Sequence, residues 1–245
     1  MTTPMAIANI ERVDIVTEGS GVKIFNIETA SEASVEANVS SGNEGELRVK
    51  NQILAQNFTE DIVKGYNLTL NDALFSPDVF ALVDGGTSTA YTNDTESFAK
   101  YVAPVAGQVS NRTKFWTYVY TAEKDCGGDT IGYELFMFPH CVGSPASVSF
   151  RDGEFFAPSY TLKSRPKTGE SPMKIIDLVK LPIAVTSSAT LPSSPVAGET
   201  SILIAVTPTS LLTAEQELTD LFSDENVAKG DVAVWSKTSN KWNVR

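Results

Sequence analysis

The sequence predicts a mainly β fold, and three observations lead to that prediction. Apolar and polar residues alternate with a period of two in many short runs, as they do in half-buried strands. Turn-forming residues are frequent, with 16 glycines and 12 prolines among 245 residues. Helical patterns are confined to two short segments, at residues 76–84 and 213–222. The length corresponds to one or two domains, and a hydrophobic fraction of 42% suffices for a core without disulfides.

The N-terminal residues 10–39 are predicted to form short strands. Glycines at positions 19 and 21 indicate a turn between the first two strands. The alternating aliphatic positions on either side of the turn and in the following strand are Val13, Ile15, Val22, Ile24, Val35, Ala37 and Val39.

Residues 40–61 have a different character and predict a long hairpin arm. Residues 40–45 break the strand, and residues 46–50 then alternate charged with aliphatic side chains between amide-rich stretches. We expect the tip of this arm to need no packing on its own core. A connection of this length is functional or simply flexible, and composition leaves both interpretations open.

A strand at residues 62–70, with Tyr66, Leu68 and Leu70 on one face, precedes a short helix. Ser76 is placed to cap the helix, Pro77 suits its first position, and Asp84-Gly85-Gly86 ends it. Phe75 and Phe80 have the spacing of a hydrophobic staple. A helix of about two turns is unstable alone, so it must dock on a sheet.

The middle of the chain has the strongest β pattern. Residues 114–120 and 131–138 are aromatic and β-branched on both faces, with a turn at residues 123–129 between them. Alternation also predicts a strand at residues 146–150, a turn at Asp152-Gly153, a strand around Tyr160 and Leu162, and a last strand at residues 173–179.

Composition changes near residue 185 and predicts two units. Residues 1–185 form the β domain, residues 186–199 a Pro/Ser-rich linker, and residues 200–245 a small α+β unit. The small unit is predicted to contain a strand at 202–206, a helix starting near Thr213 and Gln216, and a closing hairpin of 231–235 with 241–244. A unit of this size is marginal alone, so we expect it to lean on the main body.

Catalytic residue types are scarce, and we predict no enzyme, no catalytic residues, no metal and no cofactor. His140 is the sole histidine, and Cys126 and Cys141 are the sole cysteines. The cysteines are interpreted as two structural thiols, with Cys141 buried. No phosphate loop, nucleophile elbow or zinc motif occurs. A carboxylate mechanism needs no histidine, but no pair of acids stands out by its spacing.

The net charge of −11 disfavours general binding to nucleic acid. No signal peptide or membrane-spanning run is visible, so we expect a chain folded in a cytoplasm and without a membrane partner. Residues 151–180 carry a surplus of bases, six against four acids. Its cations include Arg151, Lys163, Arg165 and Lys167. They could form a basic seam that pairs with the acidic surface of a neighbouring copy, or they could lie on a solvated strand face, and the sequence favours neither interpretation.

Four segments resemble the major tail tube proteins of tailed bacteriophages, of the siphophage kind. They are residues 47–51 with 55–57, then 75–86, 151–163 and 163–172, and the resemblance spans about residues 10–180. It implies a β-sandwich or half-barrel protomer with a docked helix. It also implies that six copies close a ring and that rings stack into a tube.

The resemblance further implies a structural virion protein of the tail, made in the bacterial host cytoplasm. Genomic DNA would pass through the tube during ejection without specific binding. Partners would be further copies of the chain, the tape-measure protein, the tail terminator and the tail-tip or distal tail proteins. An acidic chain without catalytic residues agrees with such a conduit.

Two hypotheses on detail follow. The arm would stack one ring on the next through Glu46, Leu47, Arg48, Val49, Lys50, Ile53 and Asn57. The C-terminal unit would project from a non-contractile tail and touch carbohydrate through Trp235 or Trp242. The alternative function is a surface-exposed phage decoration or an adhesin-like carbohydrate-binding module.

Overall fold

Antiparallel strands form most of the chain that the computed structural model describes. The described residues are 5–19, 22–89, 100–110, 112–146, 148–185, 196, 199–205, 230–235 and 242–244. Among them the only helix is α1, Pro77–Asp84, and the prediction of a mainly β fold is confirmed. In the described part of the chain, no helix is long and apolar enough to cross a membrane.

The largest sheet has eight strands. They are β1 (Ile7–Thr17), β2 (Ile24–Ile27), β3 (Ala30–Ser40), β6 (Ile62–Asp72), β9 (Phe115–Lys124), β10 (Thr130–Gly143), β11 (Ser159–Ser164) and β12 (Lys174–Leu178). Their order is β2-β1-β9-β10-β11-β6-β3, and β12 pairs with β10 outside this path. Two smaller pairs join β4 (Glu44–Val49) to β5 (Gln52–Phe58) and β7 (Thr87–Thr89) to β8 (Lys100–Val102).

The eight-stranded sheet folds over on itself around one hydrophobic core. Side chains of β1, β9 and β10 share this core with side chains of β6, β11 and α1. Val13 and Ile15 on one half and Leu68 and Leu70 on the other are almost fully buried. The alternation that predicted a strand at β6 is therefore the pattern of one buried face, whereas β1 is buried on both faces at residues 13–17.

Strands β9 and β10 are buried on both faces, as their continuous apolar sequences indicated. Phe115 and Val119 face the first core, whereas Tyr118 and Tyr120 belong to a second one. The second core lies between this part of the sheet and the C-terminal strands. A strand enclosed on both faces carries apolar residues at odd and even positions.

The C-terminal strands form a separate four-stranded sheet. Its members are β13 (Ile183–Val185), β14 (Ser201–Ile204), β15 (Val232–Trp235) and β16 (Trp242–Val244), with β13 parallel to β14. Leu203, Val232 and Val234 pack in the second core. The Tyr118 hydroxyl donates to the Gly230 carbonyl at 2.7 Å. The expected leaning of this unit on the main body is confirmed, while its predicted helix and most of its predicted linker lie outside the described residues.

Helix α1 begins and ends where the sequence predicted. Ser76 caps it by accepting from the Val79 amide at 3.5 Å, and Gly85 ends it with a left-handed φ of 84°. The staple rings of Phe75 and Phe80 are 5.4 Å apart. The helix docks closely on β10, because a Cβ at Gly143 would overlap the backbone of Val83.

The strand predicted at residues 146–150 is wrong. The described residues of that stretch lie in the loop between β10 and β11, with Val148 and Phe150 exposed. The open edge of β10 is already paired, by β12 along residues 133–137 and by β11 along residues 141–143. Alternation shows that a stretch could be a strand, but it forms one only where an edge is free.

Candidate functional site

The hairpin of β4 and β5 is the arm that the sequence predicted, and it packs on no other element among the described residues. Every residue of both strands is exposed. At about 3.3 Å per residue, the hairpin is about 20 Å long. It follows β3 and precedes β6 in the chain, and the last pairs of those two strands are Val39 with Val63 and Ser40 with Ile62. The exposed backbone therefore extends well beyond the core.

The root of the arm is held by a set of hydrogen bonds. The Asn43 amide donates to the Thr59 hydroxyl at 2.5 Å, and the Thr59 amide donates to the Asn43 carbonyl at 3.1 Å. The Gly42 amide donates to Asp61 at 2.7 Å. A Cβ at Gly42 would overlap the Thr59 carbonyl, so these two segments of the backbone can approach this closely only because residue 42 is glycine. These contacts make the arm an ordered extension of the sheet.

The arm exposes large apolar side chains. Leu47 is 59% exposed and Leu54 is 60% exposed, and Val49, Ile53 and Phe58 are also exposed. Contiguous exposed apolar surface marks an interaction site on a folded protein. The described part of its own domain therefore leaves this apolar surface of the arm uncovered.

Register separates the arm's two faces. Leu47 pairs with Ala55 and Val49 with Gln52, whereas Ile53 pairs with Arg48. Directly paired residues share a face, so Leu47 and Val49 lie together on one face and Ile53 lies on the other. A bulge between Leu47 and Arg48 leaves Leu54 as an extra residue on β5. The structure thus divides the apolar set that the sequence grouped.

The charged face carries an internal ion pair. Arg48 Nε lies 2.9 Å from Glu46 Oε2, and Gln56 donates to Glu46 Oε1 at 3.2 Å. Asn57 pairs with Gly45 on the face of Leu47. Lys50 occupies the tip with a φ of 54° and makes no ion pair with any described residue. Among the arm's cations, Lys50 is the one free to meet a partner's acid.

The structure divides the predicted basic seam into two parts. Arg151 lies in the loop before β11 and faces Glu154 at 3.7 Å. Lys163, Arg165 and Lys167 lie together at the opposite end of β11, all exposed. Those three form no ion pair within the described part of the chain. Surface cations without an internal partner suit either interpretation of the segment.

His140 anchors the loop that carries two of these cations. Its Nδ1 lies 2.6 Å from Glu18 Oε1, and its Nε2 lies 3.1 Å from Glu170 Oε2. The Arg165 amide donates to the His140 carbonyl at 3.2 Å, and the Lys167 amide donates to Glu170 at 2.9 Å. The histidine therefore crosslinks the segment after β1 to the segment after β11.

The cysteines do not join the histidine in a reactive group. Cys126 is an exposed free thiol in a turn, and Cys141 is a buried one, as predicted. Burial raises the pKa of the Cys141 thiol to about 12, and its Sγ donates to the Phe138 carbonyl at 3.5 Å. Within the described residues no group of three His, Cys, Asp or Glu side chains could hold a metal ion.

The C-terminal sheet limits the carbohydrate hypothesis. The rings of Trp235 and Trp242 lie 5.1 Å apart, but Trp242 is only 4% exposed. A ring enclosed to this degree offers no face for stacking on a sugar. Trp235 alone keeps partial exposure.

The sequence and the fold were compared with those of known proteins. No protein-family model matches the chain, and no curated protein matches it in sequence. One similar solved structure is a chain of the anti-feeding prophage baseplate, with 13% identity, a TM-score of 0.36, and coverage of 72% of this chain and 97% of that one. Another is a chain of the extended sheath–tube complex of an extracellular contractile injection system, PVC, with 11% identity, a TM-score of 0.35, and coverage of 70% and 91%. At these TM-scores, neither likeness assigns a function to the chain.

Proposed function

We propose that this protein is a structural protein that assembles with copies of itself into stacked rings, forming the tube of a phage-type tail. The observation that carries the proposal is the arm, an ordered hairpin whose apolar side chains are exposed in the isolated chain. Exposing apolar side chains to water is unfavourable, and contact with a second copy would bury them.

The remaining features agree with this role. The chain is acidic, with a net charge of −11, and would repel a DNA cargo rather than retain it. Its sole histidine is engaged by two carboxylates, and its buried cysteine is held in the protonated form. We propose six copies per ring, with tape-measure, terminator and tail-tip proteins as further partners in the virion.

The experiment is negative-stain electron microscopy of the purified protein at high concentration, beside a variant lacking residues 44–58. We expect hollow tubes or stacked rings from the full chain. We expect a folded monomer from the variant, because the deleted residues bury nothing in their own domain. Tubes formed by the deletion variant would show that the arm is not the stacking element.

A matched control keeps the deletion interpretable. The variant Val109→Ser changes a valine that is 99% exposed and lies outside the arm. It should assemble like the full chain. Monomers from the unaltered chain, with or without a tail-tip nucleus, would instead favour the decoration or carbohydrate-binding alternative.

A further inference from the structure

An apolar groove opens beside β2, at the end of the folded sheet. It lies between β2 and the segment that joins β6 to α1. Its apolar lining comprises Ile24, Phe25, Ile27, Leu74, Phe75 and Val79. Leu74 is 62% exposed and Phe75 is 41% exposed. In the described sheet β2 is an end strand, paired only with β1.

Aromatic side chains continue this surface away from the groove. The Phe75 ring lies 5.5 Å from that of Phe156, which lies 5.1 Å from that of Phe150. Phe150 and its neighbour Phe155 are both largely exposed. The groove and this aromatic row form one apolar surface on a part of the molecule distinct from the arm.

Charge distinguishes the groove from the arm tip. The acids lining the groove are Glu28 and Asp72, and its described lining contains no lysine or arginine. Asp72 is buried and accepts from the Thr29 hydroxyl at 2.5 Å, whereas Glu28 is exposed. The groove is therefore apolar with an acidic rim.

The arm tip, residues 47–54, has the complementary composition. It carries the aliphatic side chains of Leu47, Val49, Ile53 and Leu54 and the cations Arg48 and Lys50. Arg48 is already paired with Glu46, so Lys50 supplies the unpaired positive charge. All of these residues are exposed, so the tip does not occupy the groove of its own chain.

We infer that the arm tip of a second copy docks in the groove beside β2, with Leu47 and Val49 on Leu74 and Phe75 and with Lys50 near Glu28. This inference rests on the proposed self-assembly. Arm and groove are different surfaces of one chain, so the contact is heterologous and repeats from copy to copy. One interface of this kind builds either a closed ring or an open-ended stack, according to the rotation between successive copies.

The test is a disulfide crosslink between two distinguishable copies, both carrying Cys126→Ser to remove the exposed thiol. One copy carries Val49→Cys and the other Leu74→Cys, and they are mixed under oxidising conditions. The control mixture replaces the second copy with one carrying Val109→Cys, a fully exposed site outside the groove. Mass spectrometry measures the yield of the mixed dimer.

We expect at least about tenfold more mixed dimer from the groove pair than from the control pair, a difference of about 1.4 kcal/mol in docking. Adding Glu28→Lys to the Leu74→Cys copy should reduce that yield severalfold. Equal yields from the two mixtures would overturn the inference and leave the groove to another occupant.

Microscopy of the unaltered chain separates this test from that of the proposed function. Tubes without a preferred crosslink would mean that stacking occurs but uses another surface. A specific crosslink without tubes would mean that the arm docks as inferred while the tube proposal fails.

Discussion

Burial governs the titratable side chains at the residue scale, and Asp14 shows this most clearly. Its carboxylate is buried on β1, 2.9 Å from the Arg12 guanidinium and 2.9 Å from the Asn26 amide. Burial nevertheless outweighs the attraction of Arg12 and raises the pKa of Asp14 above 3.8. Arg12 also donates to the Pro182 carbonyl at 3.0 Å, so the pair connects β1 with the approach to the C-terminal sheet.

The raised pKa of Asp14 sets the sign of a pH dependence. Above pH 3.8 the folded state retains a proton that the unfolded state has released, so the unfolding free energy falls as the pH rises to the folded-state pKa. The variant Asp14→Asn lacks this titration. The unfolding free energy of the unaltered protein minus that of the variant should therefore decrease through this window, by about 1.4 kcal/mol per unit of pKa shift, and then level off.

Urea denaturation of both proteins at a series of pH values from 3 to 7 measures this difference. Asn26→Ala serves as a control, because it removes a partner of Asp14 but keeps the titrating group. A difference that increases with pH would mean that Arg12 dominates and that the pKa of Asp14 is lowered.

The arm's faces supply a prediction at the scale of an element. Leu47 and Val49 share the face that lacks the Glu46–Arg48 ion pair, and Ile53 lies on the other. We expect the double variant Leu47→Ser/Val49→Ser to raise the concentration needed for assembly by at least about tenfold, since two aliphatic contacts are worth more than 1.4 kcal/mol. Light scattering during concentration measures the onset.

The same double variant should leave the stability of the folded monomer almost unchanged. Both side chains are exposed, so thermal denaturation should differ by less than about 0.5 kcal/mol. A variant that assembles as readily as the unaltered protein would remove this face from the stacking contact.

Helix α1 gives a second element-scale prediction, because its docking depends on one glycine. A Cβ at Gly143 would overlap the backbone of Val83, which cannot rotate away as a flexible side chain could. We expect Gly143→Ala to destabilise the protein by about 1–3 kcal/mol in chemical denaturation. Gly45→Ala is the matched control, since its Cβ would meet no neighbouring atom and the change should be nearly neutral. Equal stability of the two variants would show that the helix can move off β10 without penalty.

Elements whose signals are local were predictable from the sequence. The caps of α1, the turn at Gly153 and the alternation of β1 and β6 each depend on a few adjacent residues, and the structure has all of them. Pairing partners were not predictable in this way. The insertion of β11 between β10 and β6, and the parallel pair of β13 and β14, join segments far apart in sequence.

The candidate site divides along the same line. Exposure of the arm followed from its alternation of charged and aliphatic residues, whereas the assignment of Ile53 to the charged face depends on a bulge that no local signal marks. The groove beside β2 combines residues from β2, the end of β6 and α1. The groove exists because the sheet folds over on itself, and the alternation of apolar and polar residues along a strand does not specify that folding.

At the scale of the whole molecule, the C-terminal sheet decides how the two predicted units relate. A dispensable appendage could be removed without exposing the core of the main body. The described contacts indicate the opposite, because Leu203, Val232 and Val234 pack against side chains of β9, β10 and β12 in the second core. Tyr118 and Tyr120 are fully buried there, and the Tyr118 hydroxyl is bonded to Gly230.

We therefore expect a chain truncated after residue 185 to be strongly destabilised, in contrast to the arm deletion. Loss of the covering sheet would leave two tyrosines, Leu135 and Met137 in contact with water, at about 1.5–3 kcal/mol for each large apolar side chain. That total approaches the stability of an ordinary domain. Circular dichroism during heating compares the truncated chain, the arm deletion and the full chain.

Point variants keep the test decisive if the truncated chain is not recovered folded. Leu203→Ala, in the second core, should cost about 2–5 kcal/mol, and Tyr118→Phe about 1–3 kcal/mol by leaving the Gly230 carbonyl without its donor. An unchanged melting temperature in the truncated chain and in Leu203→Ala would mean that the C-terminal sheet is an independent appendage. A coupled loss of stability would mean that the two units fold as one body, and that the C-terminal sheet is needed by any copy that assembles.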